Sequence, residues 1–321
     1  MNPFRLFLAL MLGMLAMPAA FAQSYPTKTI RLIVGYAPGG AVDIIARTVG
    51  QKLAASLGQP VIVENKPGAG TNIAVRALID SPADGYTLML TANAISANVS
   101  LYQPPPYDID KEVAPISMVG RVPVVIATNA ASDYSSLAKL VAAAKAAPGG
   151  IAYATPGNGS TPHLAVELFA RAAGVSFLHI PYRGGSPAII DVIGGQVPLV
   201  AVNALEALPH HTSGKLRVIA VMSPGRSPIL PAVPTIAESG YPGFEASVWY
   251  GFIAPAATPK AIIAKLHGEI QKALASPEVK ERMVSVGGEV LPATTEKFGE
   301  LINTERVRYE KLIREANLKP S

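Results

Sequence analysis

A chain of 321 residues, half of them hydrophobic, holds enough apolar material for one large domain or two smaller ones. Its 27 Lys and Arg against 22 Asp and Glu leave a formal charge of +5. That charge is scattered, which argues against the basic, aromatic-interleaved stripe of a nucleic-acid binder and leaves a mild field favouring anions. There is no cysteine, so disulfides, thiol chemistry and a lipoprotein anchor are excluded.

The N-terminus reads first. Arg5, the nearly all-apolar residues 6–17 and Ala20-Phe21-Ala22 form the three regions of a secretory signal peptide, with cleavage expected after Ala22. The apolar run falls short of the ~20 residues that a membrane span needs. Cleavage removes Arg5, the one charged residue of that segment, and lowers the charge from +5 to +4.

In the mature chain, strands alternate with helices. Residues 29–35, 60–64 and 87–90 read as strands. Residues 42–57, with Ile45, Val49, Leu53 and Leu57 on one face, and 71–78 read as the helices between them. This order predicts a parallel sheet with helices on both faces. After the stiff Gln103-Pro104-Pro105-Pro106-Tyr107 comes an apolar run at 119–128, whose Pro123 suits an edge or crossing strand. The pattern then restarts with a helix at 135–147 and strands at 151–154, 177–180, 197–202 and 216–221, with helices between them, one at 164–173. Residues 223–243, rich in Pro and Gly, read as a return linker to a strand at 248–254. Thr258-Pro259 and Ser276-Pro277 each read as a cap before a first-turn proline, and 296–316 as a one-sided final helix.

The restart and the linker predict two α/β lobes: residues 23–124 with 225–321, and residues 125–224. The two crossings, near 123–128 and 223–228, would act as hinges of a cleft.

Three strands end in glycine-rich turns that open helices: Tyr36-Ala37-Pro38-Gly39-Gly40, Thr155-Pro156-Gly157-Asn158-Gly159-Ser160-Thr161 and Tyr182-Arg183-Gly184-Gly185-Ser186. Such mouths leave backbone N–H groups free at the positive end of a helix dipole, which suits a small anion. Gly39 and Gly40 read as backbone approach to a ligand, or as a turn with positive φ. Asp43 is open between a ligand contact and a partner for Arg47 one helical turn on. Ser160 and Thr161 read as caps and as ligand hydroxyls together. His163 reads either as a structural side chain or as a contact, and Arg183 as a carboxylate partner or a solvated cation. Asn93, Asn203 and Trp249 are candidates for the far end of the pocket, and Trp249 reads equally well as core. His210-His211 has no third ligand at metal spacing and reads as a surface loop. No G-x-S-x-G, H-E-x-x-H, Walker or dinucleotide motif is present. An enzyme alternative, a hydrolase or lyase using His163 and Asp43, therefore lacks a nucleophile–base pair.

Six blocks carry a resemblance over nearly the whole mature chain. They are Pro38-Gly39-Gly40-x-x-Asp43-x-x-Ala46-Arg47, Val63-Glu64-Asn65-Lys66-Pro67-Gly68-Ala69-Gly70, Ala83-Asp84-Gly85-Tyr86-Thr87-Leu88, Thr155-Pro156-Gly157-x-Gly159-Ser160-x-x-His163, Tyr182-x-Gly184-Gly185-Ser186-Pro187-Ala188 and Pro231-x-Val233-Pro234-Thr235. The chain resembles the Bug-type solute receptors, the extracytoplasmic subunits of tripartite tricarboxylate transporters. The resemblance implies a type II periplasmic-binding-protein fold closing like a clam on one small carboxylate. The mouths at Tyr36–Asp43 and Thr155–Thr161 would be its pincers. It further implies a periplasmic, monomeric protein without cofactor or metal, partnered by membrane transporter subunits. A sensor handing its signal to a membrane kinase is the alternative.

Overall fold

The computed structural model describes residues 25–285 and 287–320. The expected signal peptide lies outside the described residues.

Strand β1 (Ile30–Val34) is the apolar run Ile-Arg-Leu-Ile-Val, and all of it but Arg31 is buried. It lies between β2 (Val61–Asn65) and β3 (Thr87–Ala92), parallel to both. Helix α1 (Ala41–Leu57) crosses from β1 to β2 and buries Val42, Ile45, Ala46, Val49 and Leu53, the stripe expected of a one-sided helix. It ends at Gly58, whose φ of +67° closes the last turn. Helix α2 (Asn72–Ile79) leads into β3, and the next helix, α3 (Ala94–Leu101), leaves it.

After the short α4 (Ile109–Glu112), strand β4 (Val113–Asn129) runs for 17 residues through two sheets. Its first part pairs with β9 (Ser247–Pro255), which in turn pairs antiparallel with β3. From Val124 onward it lies between β7 (Leu199–Asn203) and β8 (Leu216–Val221). Pro123 stands at the changeover, where a residue without an N–H breaks no interior ladder. The strand is thus a crossing one and central in both sheets, not an edge. The second sheet continues through β5 (Ala152–Thr155) to β6 (Leu178–Pro181), both parallel to β7. Both sheets are mixed rather than wholly parallel, because β9 runs antiparallel to β3 in the first and β4 runs antiparallel to β7 in the second.

Helices α5 (Leu137–Ala146), α6 (Thr161–Ala173), α7 (Gly185–Ile193) and α8 (Ala204–Thr212) cover the second sheet. His210 and His211 fall in the last turn of α8 and not in a loop. Helices α9 (Lys260–Ala275) and α10 (Pro277–Val284), strand β10 (Glu289–Val290) and α11 (Thr295–Ala316) return to the first half. Pro259, not Thr258, caps α9. Leu312 and Tyr309 of α11 pack with Ala97 of α3 and Leu164 of α6, so the last helix ties the two halves together behind the cleft. The Pro/Gly-rich linker stays irregular, yet much of it belongs to the second half: Thr235 bridges to Val221, and Tyr241 and Phe244 pack edge-on against Phe169.

Candidate functional site

The first mouth is built by Asp43. Its Oδ2 accepts the Gly39 N–H at 2.9 Å and Arg47 Nε at 3.0 Å. Its Oδ1 accepts the Asn65 amide at 3.0 Å and Arg47 Nη2 at 2.8 Å. The Asn65 amide also reaches the Tyr36 carbonyl at 3.0 Å. Four donors fill the four acceptor positions of a carboxylate. Asp43 therefore shapes the loop and has no position left for a ligand group. Burial pushes its carboxyl up, but Arg47, Gly39 and Asn65 together hold it below the usual carboxylate range. Of the two glycines, only Gly39 has positive φ, +80°. Gly40 is the extended N-cap of α1 at φ −78°.

The second mouth is tied from behind. Ser160 caps α6, accepting the His163 N–H at 3.4 Å and donating to the Gly157 carbonyl at 2.7 Å. His163 Nδ1 accepts the Gly159 N–H at 3.2 Å, which leaves the ring proton on Nε2. The His163 ring stacks on His179 at 4.0 Å between centroids. His179 Nε2 lies 2.7 Å from Thr155 Oγ1, which in turn accepts the Gly157 N–H at 3.2 Å. Burial holds both histidines neutral, with His163 lowered to about 4. Thr155, expected as a ligand contact, instead braces the turn from the interior, and His163 takes the structural one of its two readings. A buried imidazole with its acceptor nitrogen in use is a support. Gly159 has φ +71°, and a Cβ there would overlap the Asn98 amide oxygen of α3. The mouth of one half is thus seated on a helix of the other.

The third mouth meets the first directly. The Ala37 N–H donates to the Arg183 carbonyl at 2.8 Å. Beside this bond stands Glu206, which the sequence reading passed over. Asn203 is the N-cap of α8, and Glu206, three residues on, reaches back to it. Glu206 Oε2 accepts the Asn203 N–H at 3.3 Å and its side-chain amide at 3.1 Å. Oε1 reaches across the cleft to the Ala41 N–H of α1 at 2.9 Å. Burial raises this carboxyl above the usual range, against the pull of those N–H groups. The Asn203-x-x-Glu206 spacing was the available signal.

Two cavities result. An inner chamber lies between Tyr36, Thr161, Gly185, Asn203, Glu206 and Val248 and measures about 20 Å³, room for little more than a water molecule. Thr161 Oγ1 and Asn203 Oδ1 are buried there without a hydrogen-bond partner among the described residues. Ser160 also lines it. An outer crevice of about 460 Å³ lies beyond Tyr36, walled by Tyr102, Tyr182, Asn158, Thr71 and the exposed Arg183. Arg183 has no ion pair among the described residues. Tyr36 borders both cavities, whereas Pro38, Gly39 and Gly159 line neither. Pro38 and Gly39 stand on the exposed rim.

Two candidates for the pocket's far end are core instead. Trp249 packs edge-on against Phe298 at 5.4 Å, on the face of β9 opposite Val248. Asn93 is held by Glu305, Tyr309 and the Trp249 N–H.

Residues 45–318 match the family described as Tripartite tricarboxylate transporter family receptor. The chain is 41% identical over 300 residues to protein BugT of Bordetella pertussis, covering 93% of this chain and 92% of that protein. It superposes on the periplasmic binding protein BugD with a TM-score of 0.88 at 34% identity, covering 92% of this chain and 100% of the other. An R. palustris protein solved with adipate gives a TM-score of 0.88 at 31% identity, over 92% and 100% of the two chains. The chain belongs to the tripartite tricarboxylate transporter receptor family, and it is a solute-binding receptor, not an enzyme.

Proposed function

We propose that the protein is exported, loses its leader after Ala22, and works as a monomeric periplasmic receptor. It closes two lobes over one small carboxylate and presents the closed form to membrane transporter subunits. The observation that carries this reading is the convergence of three glycine-rich helix mouths, from both halves, on one buried chamber. First-turn N–H groups of α1 such as Val42 have no intrahelical acceptor, and the helix dipole favours an anion there. Thr161, Ser160 and Tyr36 add hydroxyls, and Arg183 stands at the entrance. The adipate of the R. palustris relative fits the same ligand class.

The chamber is too small to admit such an acid unless the lobes part. The chain crosses between sheets at Pro123–Val124 and at Ala246–Ser247. Those two points serve as the hinge, since residues 235–244 stay with the second half.

The test is a calorimetric and thermal-shift panel of mono- to tricarboxylates, aromatic acids and neutral sugars. A ligand at a hundredfold excess over Kd stabilises the native state by about 2.7 kcal/mol. Acids should raise Tm and sugars should not; the reverse overturns the reading. Light scattering of the secreted protein should give one chain per particle, and its intact mass should begin at Gln23.

A further inference from the structure

Among the described residues, Glu206 is the only charged side chain lining the inner chamber, and no Lys or Arg joins it there. Its carboxylate is fixed by three hydrogen bonds, from Ala41 N–H, Asn203 N–H and the Asn203 amide. A carboxylate offers about four acceptor positions, so one is left over. The Asn203 amide must turn its nitrogen to Glu206, which leaves its Oδ1 as a second fixed acceptor. That oxygen is buried, in a residue 5% exposed, and has no donor among the described residues. The remaining polar groups, such as the Thr161 hydroxyl, donate or accept as required. The two fixed side-chain groups of the chamber therefore both ask for donors, whereas its backbone N–H groups, such as that of Val42, are donors for an acid.

A ligand that turned a second carboxylate inward would meet Glu206 at close range in a dry site, where like charges repel most strongly. One carrying N–H donors at that end would satisfy Glu206 and Asn203 together. We infer that Glu206, with Asn203, selects small carboxylates that also bear an amino or amide N–H group over those whose functional groups are all acidic. This rests on the carboxylate-receptor reading above and deepens it by assigning the second functional group of the ligand.

Matched pairs test the inference by titration calorimetry: aspartate and succinate, glutamate and glutarate, 4-aminobenzoate and benzoate. The wild-type protein should bind the amino member of at least one pair tenfold or more tighter than its partner. Glu206→Gln should bring that ratio within threefold by weakening the amino member and strengthening the other. If the amino-free members bind the wild type as tightly in every pair that binds, or if Glu206→Gln keeps the ratio, the inference is overturned and the receptor reading stands. If Glu206→Gln does not fold, the wild-type ratios decide alone. If no acid binds the wild type, both fall.

Discussion

Gly159→Ala separates closing from folding. Gly159 has φ +71°, and an alanine there costs about 1 kcal/mol of backbone strain whether the lobes are open or closed. The overlap of its Cβ with Asn98 exists only when the second mouth is seated on α3. Relief requires Asn98 to move, which puts at risk its amide bonds to the Gly70 carbonyl at 2.6 Å and to Asn72 Oδ1 at 2.8 Å. Two such bonds are worth about 1 kcal/mol each, so closing should lose about 2 kcal/mol. Affinity for the tightest acid should then fall about 30-fold by calorimetry. Asn98→Ala removes the obstacle, and in that background Gly159→Ala should weaken binding by less than about threefold. Equal binding by Gly159→Ala and wild type, or an undiminished loss in the Asn98→Ala background, would refute a closing contact at this position.

Asp43→Ala leaves the Gly39 N–H and the Asn65 amide without their charged acceptor; it should lower stability by about 3 kcal/mol in urea, with the half-exposed Arg47 adding little. An unchanged midpoint would show that the mouth holds its shape without it. His163 carries a folded-state pKa lowered to about 4 against 6.5 unfolded, so its contribution is present above about pH 6.5 and lost as pH falls toward 4, where the unfolded chain binds the extra proton. Urea midpoints should fall over that window, and His163→Phe should flatten the fall; an identical pH profile for the variant would contradict the assignment. Gly251→Ala drives a Cβ into the Phe298 ring and should cost about 1–3 kcal/mol, read as a Tm lowered by several degrees, with ligand affinity unchanged because that face of β9 looks away from the chamber. An unaltered Tm would mean the ring yields freely.

The three mouths were legible because in each a cluster of Gly, Pro and Ser follows an apolar strand and precedes a helical stretch. The Asp43–Arg47 pair was legible as a one-turn spacing, though its roles for Gly39 and Asn65 depend on where β2 lies. Helix α3 escaped notice because its polar Ser96 and Asn98 break the apolar stripe; both are buried, and each donates to a distant carbonyl, of Ile302 and Gly70. Strand β9 is apolar on both faces, so alternation could not say whether Val248 or Trp249 faces the chamber. Glu206 advertised its cap in the sequence, but its bond to Ala41 joins residues 165 positions apart. Local spacing cannot show a reach set by how two sheets meet. The same limit put Thr155 on the ligand's side of the mouth and left His163 open between two roles, when both brace it from behind.

The central claim, that one small acid is held where the three mouths meet, is tested most directly by a crystal structure of the complex with the tightest-binding acid of the panel. The account predicts density for a carboxylate bounded by Tyr36, Thr161 and Gly185, within hydrogen-bond distance of first-turn N–H groups of α1 or α6. An acid bound at proven saturation anywhere else, with the three mouths unaltered, would contradict it.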